Sequence, residues 1–280
     1  PPSILMVVWG GVMQISVGAL FLAGAIPGLL IGFALMATVY GYAKKYDYPV
    51  TLRPTFAQFW SAFKGAALAM LTPVLVIGGI VGGIVTPTES AIIAAGYALI
   101  LGVFVYRTVS VRDLGGIFYD TGRFASISLF AIGTASAFGW MLAFYNVPRL
   151  IVDVLTAHEL GVIGTSLIIA ALFLFFGLFI DAIPTIIILG TVLLPVARAA
   201  GIDPVAFAII GIISLAFGLV TPPYGLCLLI SASIGGMNVV KVLRDVCIIL
   251  APMLVILLLV ILFPQIALWL PRTLMPMSFQ

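Results

Sequence analysis

Charged residues are scarce in this chain. Only 8% of its 280 residues are Asp, Glu, Lys or Arg, whereas 64% are hydrophobic, and the mean hydropathy is +1.34. No soluble domain has this composition, so the sequence predicts an all-α, polytopic membrane protein in the lipid bilayer. The net charge of +3 comes from lysines and arginines between apolar runs, so it reports membrane topology and does not indicate nucleic-acid binding.

Metal-ligating and nucleophilic side chains are also few. One histidine and two cysteines exclude a zinc or haem site, and no phosphate-binding loop is present. The enzyme alternative is an intramembrane aspartyl protease that would use Asp120 and Asp181. It is disfavoured because Asp120 lies beside Arg123 at a membrane edge, and Asp181 lacks a close preceding glycine. We therefore predict no catalytic residue.

The segment 204–240 contains no charge and is too long for one span. A straight helix of this length would measure about 55 Å at ~1.5 Å per residue, whereas a bilayer core is ~30 Å thick. The sequence TPPYG at 221–225 predicts a break, since two prolines remove two backbone donors. Freed carbonyls at membrane depth need protein, water or an ion, and secondary transporters build sites from such broken helices.

The rest of the chain divides into apolar runs separated by positive loops. We expect a broken segment at 1–20 and an interfacial helix whose apolar face comprises Phe56, Phe59, Trp60 and Phe63. The full spans are predicted at 21–43, 65–85, 88–106, 124–145 and 246–270. The loops that carry Lys44, Lys45, Arg53 and Lys64, and then Arg107, Arg112 and Arg123, should be cytoplasmic. In the turn between two spans, Thr86 or Thr88 should cap a helix with Glu89 in its first turn.

Residues 161–197 are apolar except for Asp181, which divides them into two pieces of under 20 residues each. Such short pieces indicate a re-entrant hairpin over 161–200, although two short spans are also possible. Lys241 and Arg244 look cytoplasmic, so the broken helix 204–240 should start on the outside. This favours the re-entrant hairpin, because a hairpin returns the chain to the side from which it entered. An acid at membrane depth costs roughly 2.5–3.5 kcal/mol on insertion scales, so Asp181 at the tip is a candidate cation or substrate ligand. The simpler interpretation is a helix cap that accepts from Ile183 or the Thr185 region.

The break itself is a candidate cation site. It could present the carbonyls of Gly218, Leu219, Val220 and Thr221, together with the Thr221 hydroxyl, and oxygen ligands suit a hard cation such as Na⁺. The alternative is a proline kink filled by back-bonding of the Thr hydroxyl. An internal echo supports the site, because PPSILMVV from Pro1 resembles PPYGLCLL from Pro222. Paired, proline-broken segments in two halves indicate a transporter binding site.

Two motifs resemble one family. GLFID at 177–181, LLPVA at 193–197, GIDP at 201–204 and GLVTPPYG at 218–225 form the first, and GGIVTPTESA at 82–91 is the second. Together they resemble the large membrane subunit of tripartite ATP-independent periplasmic (TRAP) transporters over essentially the whole chain. Tyr224 departs from the small or aliphatic residue expected there. The chain looks like the C-terminal two-thirds of that subunit, without the first re-entrant hairpin.

The resemblance implies an inverted-repeat, elevator-type transporter of the bacterial inner membrane. It would import a carboxylate-bearing solute with Na⁺ as co-transported ion, alongside a small membrane subunit and a periplasmic substrate-binding protein. The implied substrate ligands are Pro2, Ser3, Asp181 and Thr185, and the implied Na⁺ ligands are Gly218, Thr221, Pro222, Pro223 and Gly225. The alternative within transport is an anion or dicarboxylate symporter that needs no binding protein.

The same resemblance divides the chain into four parts. Residues 1–20 would be the broken helix of the first repeat, and 21–118 would supply scaffold spans and an amphipathic arm. Residues 119–240 would form the second-repeat transport region, with the hairpin at 161–200 and the broken helix at 204–240. Residues 241–280 would be a terminal span.

Overall fold

The computed structural model describes residues 3–48, 54–157 and 160–276, and every regular element in those ranges is helical. The α-helices are α1 Ile4–Met13, α2 Val17–Ala23, α3 Ala25–Lys45, α4 Phe56–Val81, α5 Pro87–Ile100, α6 Leu114–Phe144, α7 Val147–Ala157, α8 Gly161–Gly177, α9 Ala182–Thr185, α10 Thr191–Ala199, α11 Pro204–Gly218, α12 Leu226–Ile234, α13 Val239–Leu262 and α14 Gln265–Leu274. Leu101–Val105 and Ile186–Gly190 are π-helical. Six helical stretches within these ranges are long and apolar enough to cross a membrane.

Two helices begin earlier than the sequence predicts. The expected interfacial helix is not a separate element but the first part of α4, which runs without interruption from Phe56 to Val81. Thr55 and Gln58 form a capping box that fixes the start of this helix. Helix α6 begins at Leu114, so Arg123 lies in a helix and not in a loop. Nothing between Leu114 and Arg123 breaks a helix strongly, since the three glycines there cost only ~1 kcal/mol each.

The last predicted span, 246–270, is wrong at both ends. Helix α13 begins at Val239, where the Asn238 side chain accepts a hydrogen bond from the amide of Val240 at 2.9 Å. It ends at Leu262, shortly before Pro264, and α14 follows as a separate helix. Proline disfavours the helical conformation in the residue before it, and Phe263 before Pro264 has φ −128° and ψ 73°, so one long span does not form.

The chain forms two compact units, of which the smaller comprises Ala43–Ser128. Within it α4 packs against α5, and the Tyr97 hydroxyl donates to the carbonyl of Leu68 at 2.8 Å. Thr86 caps α5 while Glu89 accepts from the Thr86 amide at 2.7 Å. This capping box confirms the structural interpretation of Glu89.

The larger unit comprises Ser3–Tyr42 and the chain from Leu129 onwards. Its core lies around α11, which packs along α8 and also contacts α1, α2, α10 and α13. Trp9 of α1 is fully buried between Phe173 of α8 and Phe207 of α11, with ring centroids 5.4 and 5.3 Å away. A side chain at Gly211 would overlap the Trp9 ring. The aromatic cluster thus fixes α1 against both helices that lead into the candidate site.

Hydrogen bonds fix the outer helices of this unit. Asp203 caps α11 by accepting from the Val205 amide at 2.8 Å, and its other oxygen pairs with Arg272 of α14 at 3.0 Å. The Tyr42 hydroxyl of α3 donates to Asp245 of α13 at 2.7 Å. These bonds join elements that are distant in sequence, whereas the candidate site lies elsewhere, at the end of α11.

Candidate functional site

The predicted break in segment 204–240 is present. Helix α11 ends at Gly218 and α12 begins at Leu226, with Gly225 in the left-handed conformation at φ 37°. The amide of Cys227 donates to the carbonyl of Leu219 at 2.9 Å, so the two half-helices are bonded across the break. The negative end of the α11 dipole and the positive end of the α12 dipole therefore meet at one place.

The carbonyls of the break fall into two groups. Those of Gly218 and Leu219 accept from the amides of Thr221 at 3.3 Å and Cys227 at 2.9 Å. Those of Val220, Thr221 and the two prolines accept no hydrogen bond from any residue that the structure describes. The Thr221 hydroxyl donates to the carbonyl of Phe217 at 2.7 Å, which leaves its lone pairs available. The oxygen atoms open to a ligand thus lie towards residues 220–223 and less at Gly218.

Gly218 is needed for close packing, and this role is separate from any exposure of its carbonyl oxygen. A Cβ atom on Gly218 would overlap the carbonyl group of Gly177, and one on Gly177 would lie 3.2 Å from Leu215 Cδ2. The end of α8 and the end of α11 therefore cross in backbone contact, which two glycines permit. This crossing brings the tip of the hairpin to the break.

The tip of the hairpin is the short stretch between α8 and α9. Asp181 occupies the N-cap position of α9, but its side chain makes no capping hydrogen bond, so the predicted cap is wrong. A capping side chain bonds the second or third amide of the helix, and the third residue here is Pro184, which has none. The main-chain carbonyl of Asp181 instead accepts from Thr185, from its amide at 3.2 Å and from its hydroxyl at 2.8 Å.

The carboxylate of Asp181 has a different partner. The Tyr224 hydroxyl donates to Asp181 Oδ1 at 3.1 Å, and the Tyr224 amide donates to the carbonyl of Leu178 at 2.9 Å. Sequence reasoning missed this residue and noted it only as a departure from the family pattern. One signal was available, because a tyrosine hydroxyl in an apolar run needs a polar partner, and Asp181 is the only acid in the neighbouring run.

Of the remaining predicted ligands, only some are joined to Asp181 and the break by contacts in the structure. Thr185 is buried and bonded to Asp181, while Thr221 and Tyr224 lie on the break, so the structure brings these four residues to one region through hydrogen bonds and the glycine crossing. Ser3 is half-buried at the N-cap position of α1, and its side chain makes no capping bond. Pro2 lies outside the described residues. Whether Ser3 and Pro2 bind a ligand stays a prediction.

A second surface of the hairpin is apolar. A cavity of about 440 Å³ lies between α6, α7 and the hairpin arms, and its exposed lining contains no polar surface. Thr185 borders this cavity, but its hydroxyl is directed to the Asp181 carbonyl. A charged solute does not suit this cavity, so the polar side of the hairpin, at Asp181 and the break, is the better candidate.

The helices and their lengths define a multi-pass membrane protein. Residues 1–266 match the family model described as "Tripartite ATP-independent periplasmic transporter, DctM component". The chain belongs to this family.

Three curated relatives agree with the family match. The chain is 39% identical to the sialic acid TRAP transporter permease protein SiaT of Haemophilus influenzae, over 99% of this chain and 45% of that protein. It is 38% identical to the sialic acid TRAP transporter large permease protein SiaM of Vibrio cholerae, over 97% of this chain and 64% of the relative. It is 33% identical to the C4-dicarboxylate TRAP transporter large permease protein DctM of Pseudomonas aeruginosa, with the same coverages. These relatives are named as transporter permeases and not as enzymes, and the chain spans about half to two thirds of their length.

Proposed function

We propose that this chain is part of a Na⁺-coupled secondary transporter that imports a small carboxylate-bearing solute. The observation that carries the proposal is the junction of two interrupted elements, the tip of a helical hairpin and a proline-broken helix, which are held together at Asp181 and Tyr224. Carbonyls without hydrogen bonds, an intramembrane carboxylate and opposed helix ends are the components from which transporters build ion and substrate sites.

Na⁺ is the ion that this chemistry fits. The carbonyls of residues 220–223, the Thr221 hydroxyl and the free oxygen of Asp181 are hard oxygen donors, which a small hard cation prefers. We keep Gly218, Pro222, Pro223 and Gly225 as part of the site because they form the break, with Gly218 contributing through close packing. A cation there would also offset the negative end of the α11 dipole.

The solute is proposed from the relatives and from the helix ends. Proteins similar to this chain are named for sialic acid, C4-dicarboxylates and ectoine, which carry a carboxylate, and one is named for isethionate, which carries a sulfonate instead. Helices α1 and α12 begin without a side-chain cap, so each presents amide donors and a positive dipole end that would suit a carboxylate. Ser3 and Pro2 stay proposed substrate contacts on this basis, and Asp181 and Thr185 stay proposed contacts at the tip of the hairpin, where they are bonded to each other.

The assembly and the mechanism follow the family. We propose a small membrane subunit and a periplasmic substrate-binding protein as partners, in the bacterial inner membrane. Residues 161–200 would form a re-entrant hairpin that moves with the broken helices, in an elevator motion against scaffold spans. The backbone crossing of Gly177 and Gly218 supports joint movement of hairpin and break, together with the hydrogen bonds from Tyr224 that join the two segments.

Uptake into proteoliposomes tests this function. The complete permease should accumulate labelled solute when its binding protein is outside and a Na⁺ gradient points inward, without ATP. Replacing Na⁺ by K⁺ at constant ionic strength and clamped membrane potential should abolish accumulation. Equal uptake in K⁺ would refute Na⁺ coupling, and equal uptake without the binding protein would favour the symporter that needs none.

A further inference from the structure

We infer that Tyr224 positions the Asp181 carboxylate and thereby sets the Na⁺ affinity of the site. The inference rests on the proposed function, because it assumes that Na⁺ binds at the break. It assigns to Tyr224 a role as a positioning residue that acts through Asp181 and does not contact the ion.

Two hydrogen bonds from Tyr224 carry the argument. Its amide donates to the carbonyl of Leu178 and its hydroxyl donates to Asp181, so main chain and side chain bind two different residues of the tip. The two preceding residues are prolines without amide hydrogens, which makes Tyr224 the first residue after Thr221 that can donate from its main chain. The tip is therefore connected to the break through this residue, in addition to the glycine crossing.

The carboxylate of Asp181 depends on this hydroxyl for its orientation. Thr185 bonds only the main-chain carbonyl of Asp181, and no other described residue donates to the carboxylate. At 3.1 Å the bond is long for a hydroxyl and a carboxylate, so it orients Asp181 without binding it tightly. It occupies one carboxylate oxygen and leaves the second free to face a cation. Without it the carboxylate can rotate, and an ion would have to order it on binding.

The test compares two variants that each remove one tyrosine hydroxyl. Tyr224→Phe keeps the ring and the hydrogen bond from the main-chain amide to the carbonyl of Leu178. Tyr42→Phe removes an equivalent hydroxyl–carboxylate bond, between Tyr42 and Asp245 of the same unit. In the complete permease, Tyr224→Phe should raise the Na⁺ concentration for half-maximal uptake by about five- to tenfold with little change in maximal rate, which is the effect of losing one ordinary intramolecular hydrogen bond. Tyr42→Phe should leave that concentration unchanged.

A double-variant comparison shows whether Tyr224 acts through Asp181. Asp181→Asn removes the charge but keeps an oxygen that can accept from Tyr224. In protein solubilised in detergent, Na⁺-induced thermal stabilisation against a K⁺ reference gives the Na⁺ affinity of each variant. Tyr224→Phe should add little to the loss already caused by Asp181→Asn, whereas independent roles would give multiplied losses.

The outcomes separate this inference from the proposed function. Na⁺-dependent wild-type uptake with an unchanged half-maximal concentration in Tyr224→Phe would overturn the inference alone. Absence of Na⁺ dependence in the wild type would overturn both. Should Tyr224→Phe fail to assemble, Tyr224→Val provides the same measurement, because the resemblance leads us to expect an aliphatic residue at this position.

Discussion

Two short helices of the larger unit, α1 and α12, each follow a proline pair in the sequence. They have similar local features but differ in burial. A shift of 221 positions places Pro1 on Pro222 and also the last residue of α1, Met13, on the last residue of α12, Ile234. Each short helix is followed by a turn whose polar residue, Ser16 or Asn238, caps the next helix with its side chain. The weak echo in sequence is therefore matched by helix lengths and caps.

The surroundings of the two helices are different. Helix α1 buries Met6, Trp9, Gly10 and Met13 and contacts α2, α11 and the second hairpin arm. Helix α12 contacts α13 but leaves most of its apolar residues exposed, with Ile230 at 52% and Ile234 at 84%. Helix α1 is thus fixed in the core, whereas α12 is held mainly at its start, by the hydrogen bonds of Tyr224 and Cys227. Within the described residues, α12 therefore has fewer packing contacts than α1, and its position depends more on the hydrogen bonds at the break.

The largest effect in this comparison should come from Trp9. The shift that aligns the helices places Trp9, fully buried, on Ile230, which is half exposed. Trp9→Ala should lower the free energy of unfolding by ~3–5 kcal/mol, whereas Ile230→Ala should change it by about 0.5 kcal/mol or less. Thermal or denaturant unfolding of the purified permease measures both.

A large loss of unfolding free energy in Ile230→Ala would contradict the difference in burial between the two helices. It would show that another part of the assembled permease covers α12, and that the two segments are equally buried there. A small loss in Trp9→Ala would instead refute the aromatic cluster as the anchor of α1.

Gly218→Ala should have the next largest effect. The new Cβ would overlap the Gly177 carbonyl, which belongs to backbone and cannot move away as a flexible side chain could. Helices α8 and α11 must then separate, at a cost of ~1–3 kcal/mol in unfolding free energy. Gly11→Ala in α1 is the matched control, because nothing lies within 4 Å of its Cβ position. Equal stability of the two variants would contradict the backbone crossing.

The sequence predicts much of this fold because its main signals are physical requirements of the bilayer. Apolar length predicts the spans, and the proline pair at 222–223 predicts the break, since missing amide donors disrupt any helix. The Thr86 and Glu89 capping box was also predictable, because it depends on neighbours in sequence. Helix ends were less so: the boundary at Leu114 depends on weak local preferences, and the predicted last span ran through Pro264 although that proline marks the end of α13.

The contacts of the site could not be predicted because they join distant residues. The bond between Tyr224 and Asp181 spans 43 positions, and the Gly177–Gly218 crossing depends on how two helices pack. Local rules left two interpretations of the Asp181 side chain, a ligand and a helix cap, and Pro184 denies the cap one of its two usual donors. Sequence thus indicated which residues matter, and packing decided which of them meet.

The smallest predicted effect separates the two interpretations of Thr221. Its hydroxyl donates to the carbonyl of Phe217, as a back-bonded threonine in a kink does, but the same oxygen can still bind a cation. Thr38 in α3 makes the same kind of bond, to the carbonyl of Ala34 at 2.9 Å. Thr221→Val and Thr38→Val therefore remove equivalent back-bonds at nearly constant volume. If Thr221 also binds Na⁺, only Thr221→Val should raise the Na⁺ concentration for half-maximal uptake, by about three- to fivefold or ~1 kcal/mol.

The measurement is a Na⁺ titration of uptake at fixed solute and binding protein, with unfolding temperatures recorded for both variants. Loss of a back-bond alone predicts small and similar changes in stability for the two threonines and no change in Na⁺ dependence. An ion ligand predicts the same similarity in stability but a difference in Na⁺ dependence. Because the two variants share the structural cost, a Na⁺ dependence that is unchanged in both would remove Thr221 from the ion site and leave it as a kink residue.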